Sequence, residues 1–234
     1  MKIIKTIETY TMISLFLVGT EDLKAQSTFN NMELSFSNSF DSNYISEGRC
    51  NLANGGLSAF NTDISFYMLE LNMWYGTGLD SGYGELQFSG GLSFDLNYIG
   101  LSFGLTDLSF LHDGSNDNEF YTELSYNKIN WFTPTFVNVY SFEADGSFLE
   151  LLLEFNISTQ NERIGLTPFL LGGFDFGFVA EIYCINNFQT GFELSYQLIN
   201  NLSMNGYIAT SLGIWKGSFH ENHTWGGISV STDF

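Results

Sequence analysis

The sequence predicts an all-β fold, an antiparallel up-and-down transmembrane β-barrel of about 12 strands. Three observations predict it. Apolar and polar residues alternate with a period of two over most of the chain after residue 28, which is the strand period and not the helix period. Clusters of Gly, Asn, Asp and Ser separate the alternating runs, as turn chemistry does. Charged residues are only 14% and aromatics reach 17%, whereas an ordinary soluble domain carries about 25% charge.

Lys2 and Lys5 give a basic start, Met12 to Gly19 is a short apolar run, and Leu23-Lys24-Ala25 offers a cleavage site. An export signal over 1–25 and a single barrel domain over 26–234 are therefore expected. The competing reading is an ordinary N-terminal helix, because Glu8, Glu21 and Asp22 are unusual in a signal.

Strands are expected at roughly 29–40, 56–64, 68–76, 83–95, 101–111, 119–127, 133–142, 147–157, 164–180, 188–198, 203–215 and 225–234. The clearest runs from Gly84 to Tyr98, where Leu86, Phe88, Leu92, Phe94 and Leu96 alternate with Glu85, Gln87, Ser89, Ser93 and Asp95. Leu149 to Ile157 and Phe188 to Leu198 repeat the pattern. Dividing 56–76 into two strands gives twelve; leaving it whole gives eleven. Parity favours the division, since single-chain bacterial barrels have even strand numbers, short periplasmic turns and longer outer loops. The long stretch 41–55 then falls on the outer side. Trp74-Tyr75, Trp131-Phe132, Trp215 and Trp225 fall near strand ends, where interfacial girdles sit. The terminal Phe234 follows an alternating strand and resembles the assembly signal of Gram-negative outer-membrane barrels.

Charge narrows the function. Seven Lys and Arg face 26 Asp and Glu, for a net charge of −19. That excludes a nucleic-acid partner held by phosphate neutralisation. The faces opposite the apolar ones carry Glu70, Glu85, Asp95, Glu123, Glu150, Glu154, Asp175 and Glu193. They are expected to form an acidic lumen lining. The basic residues after the signal, Arg49, Lys128, Arg163 and Lys216, all fall in connections. Two readings stay open: a lumen that attracts cations, or a solvated interior whose sign is an accident of composition. The lumen is either open or filled by inward side chains such as Tyr121, Phe148, Leu152, Phe169, Leu171, Val179 and Tyr207. Loop 41–55 either folds in as a plug and carries Arg49 to the acidic wall, or stays outside.

Other chemistry is sparse. Cys50 and Cys184 form a possible disulfide over the barrel mouth, allowed in an oxidising compartment. No metal site, cofactor or catalytic constellation is expected. The histidines His112, His220 and His223 fall in expected outer loops, and no G-x-S-x-G, P-loop or H-E-x-x-H pattern occurs.

Residues Asp41 to Arg49 resemble the first-strand segment of the TorF-like porins, whose S-x-Y-x-x-R-G pattern precedes a glycine-rich loop and a short hairpin. Ser42, Tyr44 and Gly48 match, and Gly55-Gly56 fits the glycine-rich loop. Glu47 stands where the family has arginine. The resemblance extends over most of 36–234 and implies passive transport. The expected function is an outer-membrane channel for small, preferably cationic solutes, in contact with outer-membrane lipid. The alternative is a structural or surface-interaction barrel with a filled lumen, acting through its outer loops.

Overall fold

A computed structural model describes residues 32–159, 163–179, 183–214 and 222–234. The expected signal over 1–25, Trp215, Lys216 and His220 lie outside these residues. Twelve long strands follow one another: β1 Met32–Asp41, β2 Leu57–Phe66, β3 Leu69–Gly78, β4 Gly84–Leu96, β5 Ile99–Phe110, β6 Asn116–Tyr126, β7 Thr133–Ser141, β8 Gly146–Glu154, β9 Ile164–Phe176, β10 Tyr183–Ile199, β11 Leu202–Gly213 and β12 His223–Asp233. Each pairs antiparallel with its sequence neighbours, and β12 returns to β1 through Ser35↔Asp233 to Asp41↔Gly227. The sheet is thereby closed and has no free edge, the usual escape from the edge-strand problem.

The stretch 56–76 is divided, with Tyr67 and Met68 making the turn between β2 and β3. Tyr67 and Asn97 take positive φ in the β2–β3 and β4–β5 turns, the left-handed conformation that such tight hairpins need. One end of the barrel carries these short turns; the other carries the longer connections, of which 42–56 is the longest.

The wall is apolar outside. Leu71, Phe88, Leu105, Leu124, Phe192, Leu194, Ile208 and Ile228 are all exposed. Opposite residues of an antiparallel pair share a face, so the register Leu71↔Gly90↔Leu105↔Phe120 traces one outward row. This inverts the logic of a soluble protein and matches a lipid-facing wall. Tyr67, Tyr98, Tyr126 and Trp131 are exposed around the short-turn end, and Phe142, Phe176 and Tyr183 around the loop end. Two expected girdle residues point the other way. Trp74 pairs with Asn61 and Gln87 on the inward face, and Trp225 pairs with Ala209, whose small side chain leaves it room.

Inward aromatics lie along the wall where the neighbouring strand offers glycine. A Cβ on Gly104 would meet the Tyr121 hydroxyl and the Gly91 Cα, each at 2.7 Å. The Tyr121 ring therefore rests on a glycine bed. Val179, expected in a strand, lies in the connection after β9.

Candidate functional site

The site is built around the connection from β1 to β2, residues 42–56, designated L1. Its middle is a miniature hairpin, Ile45–Ser46 paired with Arg49–Cys50. Glu47 and Gly48 form the turn, both at positive φ. L1 does not stay outside the barrel. Leu52, only 4% exposed, packs with Leu57 and Ala59 on β2, and Tyr44 lies against this cluster. The Tyr44 ring also meets Trp74 at 5.7 Å and Tyr83 at 5.8 Å between centroids. This anchor holds the loop inward, and it explains why Trp74 serves the interior instead of a girdle.

The tip of L1 reaches β10, three strands around the wall from β1. A Cβ on Gly48 would overlap the Asn186 Oδ1 and stand 3.0 Å from the Asn187 side chain, so only glycine fits at this approach. Adjacent side chains on a strand normally point to opposite faces. A register shift at Gly173/Phe174 overrides this, because Gly173 pairs with Asn187 while Phe174 pairs with Ile185, leaving Asn186 as the extra residue of a bulge. Both asparagines are thereby buried against the tip, at 0% and 1% exposure. Neither Oδ1 accepts a hydrogen bond among the described residues, so packing holds the tip there.

Below the tip is a cavity of about 920 Å³. Glu47 and Arg49 of L1, Glu85 of β4, Asp117 and Glu119 of β6, and the ring of Phe178 help to line it. Arg49 Nη2 donates to Glu47 Oε2 at 2.9 Å, and its Cζ stands 5.6 Å from the Phe178 ring centroid. Burial opposes the Arg49 charge, but Glu47, Tyr44 and Glu119 outweigh it and raise its pKa. Tyr83 donates to Glu85, and Gln87 donates to the same carboxylate. Burial, then the Glu85 hydrogen bond, raises the Tyr83 pKa, so it remains a donor. Burial, then the charges of Glu85 and Glu47, holds the Tyr44 phenol well above its ordinary value.

The expected lining residues fall as follows. Glu70 pairs with Gly91, Glu85 with Gly76 and Phe110, and Asp95 with Gly100. Glu123 and Glu150 both pair with Val137 on β7, and Glu154 pairs with Phe169. Glu193 pairs with Thr167 and Tyr207. Glu70, Asp95 and Glu123 line a second cavity of about 410 Å³. Asp175 differs from the rest. It is wholly buried, and its carboxylate accepts from the Phe178 amide at 2.8 Å and the Val179 amide at 3.2 Å. It ties down the connection after β9 and does not face solvent.

Cys50 and Cys184 are free thiols, not a disulfide. The Cys50 thiol turns back into L1 and donates to the Leu52 carbonyl at 3.1 Å, while Cys184 sits opposite Asp175 on β10. His223 is the first residue of β12, paired with Ser211, rather than a loop residue. Sequence reading missed Glu119 and placed Asp117 in a loop. Both lie on β6, two and four residues before Tyr121, so the same alternation carries them.

No family model matches the chain, and no curated protein matches it. Solved structures do. A KdgM porin in complex with disordered oligogalacturonate superposes with a TM-score of 0.61 at 12% identity, covering 86% of this chain and 99% of that one. A NanC porin gives 0.55 at 11% identity, covering 85% and 98%. The fold is the twelve-strand barrel of these porins.

Proposed function

We propose that this protein is an outer-membrane channel that passes small solutes passively and favours cationic ones. One observation carries the reading. The closed wall is apolar outside, while its inner register bears carboxylates and none of its twelve strands contains a Lys or Arg. In a narrow conduit with low-dielectric walls such a field concentrates cations. The contrast with the KdgM porin is chemical: that protein is in complex with oligogalacturonate, a polyanion, whereas the interior here carries the opposite sign to a polyanion's receptor. The loop end would face outward and the short-turn end the periplasm, as in other bacterial barrels. The Ser42, Tyr44 and Gly48 resemblance to TorF-like porins points to the same role.

The test is conductance in a planar bilayer under a KCl gradient. The expected reversal potential favours K⁺, most strongly in dilute salt, because the Debye length falls from about 10 Å at 0.1 M to about 3 Å at 1 M. Anion selectivity would refute the reading. A second reading, a structural barrel acting through its outer loops, is favoured by the entry of L1 into the lumen. Absence of conductance both in the intact protein and after shortening of L1 would support it.

A further inference from the structure

We propose that the cavity beneath the L1 tip binds organic cations bearing a guanidinium or ammonium group, and that Arg49 is their tethered competitor. The proposal deepens the channel reading and rests on it for the route by which the cation arrives. The cavity, about 920 Å³, lies within the size range of small-molecule sites. Among the described residues Arg49 is the only Lys or Arg along its lining. Facing it are carboxylates on separate elements, Glu47 on L1, Glu85 on β4, and Asp117 and Glu119 on β6.

These carboxylates are not equally engaged. Glu85 accepts from Tyr83 and Gln87, Asp117 accepts from Ser141 at 2.7 Å, and Glu47 holds Arg49. Among the described residues Glu119 accepts no hydrogen bond, so it is the open seat. Arg49 shows what the cavity accepts. Its guanidinium is held between one carboxylate and the face of Phe178, the pair of contacts by which proteins bind organic cations.

Arg49 is also an imperfect tenant. Its Nε is buried without a hydrogen-bond partner, and the tip that carries it is held at Asn186 and Asn187 by packing alone. A free cation that makes the missing bonds can therefore displace it. Compact metal ions suit the cavity less, since no cluster of three or more His, Cys, Asp or Glu side chains is poised for a metal among the described residues. Dispersed carboxylates around aromatic faces suit an extended cation.

The experiment uses the full chain and agmatine, which carries both cationic groups. Agmatine binding to the detergent-solubilised protein is measured by titration calorimetry, and agmatine block of the channel is measured in parallel. Arg49→Gln should tighten binding about tenfold by removing the competitor, and Glu119→Gln should weaken it about tenfold. Phe178→Leu, which changes no charge, should also weaken it and serves if Glu119→Gln does not fold. Galacturonate should not bind. Weaker binding by Arg49→Gln, or unchanged binding in both Glu119→Gln and Phe178→Leu, would overturn the proposal. Binding with the expected order of variants but without conductance would overturn the channel reading and leave the cation site standing. Conductance without agmatine binding would do the reverse.

Discussion

Leu105→Arg tests the direction of the wall. Leu105 lies midway along β5, is 58% exposed, and faces outward between Gly90 and Phe120. No carboxylate shares that outward row; the nearest on the outward face is Asp107, two residues along β5 toward the loop end. Five residues separate it from the end of β5 at Phe110. At a rise of about 3.4 Å per residue and a tilt of about 40°, that is about 13 Å of depth, beyond the reach of an Arg side chain. The cost should be about 2–4 kcal/mol, or roughly 30- to 700-fold in the folding equilibrium. The control is Thr106→Arg, one residue along. Thr106 faces inward, shares a hydrogen bond of 2.8 Å with Ser89, and pairs with Glu119. Losing that hydrogen bond costs roughly 0.5–1.5 kcal/mol, and Glu119 offsets part of it. Urea unfolding in lipid vesicles, followed by tryptophan fluorescence, measures both variants. If Thr106→Arg proves as costly as Leu105→Arg, or more so, the inside and outside of the barrel are wrongly assigned.

Three further outcomes are expected. Neutralising Glu150 and Glu154 together to Gln should shift the reversal potential toward zero, while Asp107→Asn, on the outward register opposite Phe88, should leave it in place; equal shifts would count against an electrostatic interior. Gly104→Ala forces a Cβ against Tyr121 and the Gly91 backbone, so it should destabilise by about 1–3 kcal/mol in the same urea assay, and a neutral result would show that the wall relaxes freely. Alkylation of the unfolded, unreduced protein should add two labels by mass, one each on Cys50 and Cys184; an unlabelled protein two hydrogens lighter would show a bridge.

The sequence by itself determined the strands, their number and the sidedness of the wall. These follow from a local rule: lipid outside and water inside impose a period of two, so a run such as Gly84–Leu96 reveals its faces without knowledge of its neighbours. The division of β2 from β3 came from parity, since single-chain bacterial barrels have even strand numbers. Tertiary structure decided what fills the interior. The alternation of Trp74 and Trp225 was compatible with a girdle, and only Tyr44 against the one and Ala209 beside the other explain their inward roles. Loop 42–56 carries no period, so its sequence was compatible both with an exposed loop and with a plug. Its place depends on a bulge more than a hundred residues away, which turns Asn186 and Asn187 together toward Gly48. The same nonlocal packing buries Asp175 beneath two backbone amides and keeps the two thiols apart. Local periodicity reports the solvent on each side of a strand; contacts between distant strands and loops depend on closure of the barrel, which no window of the sequence contains.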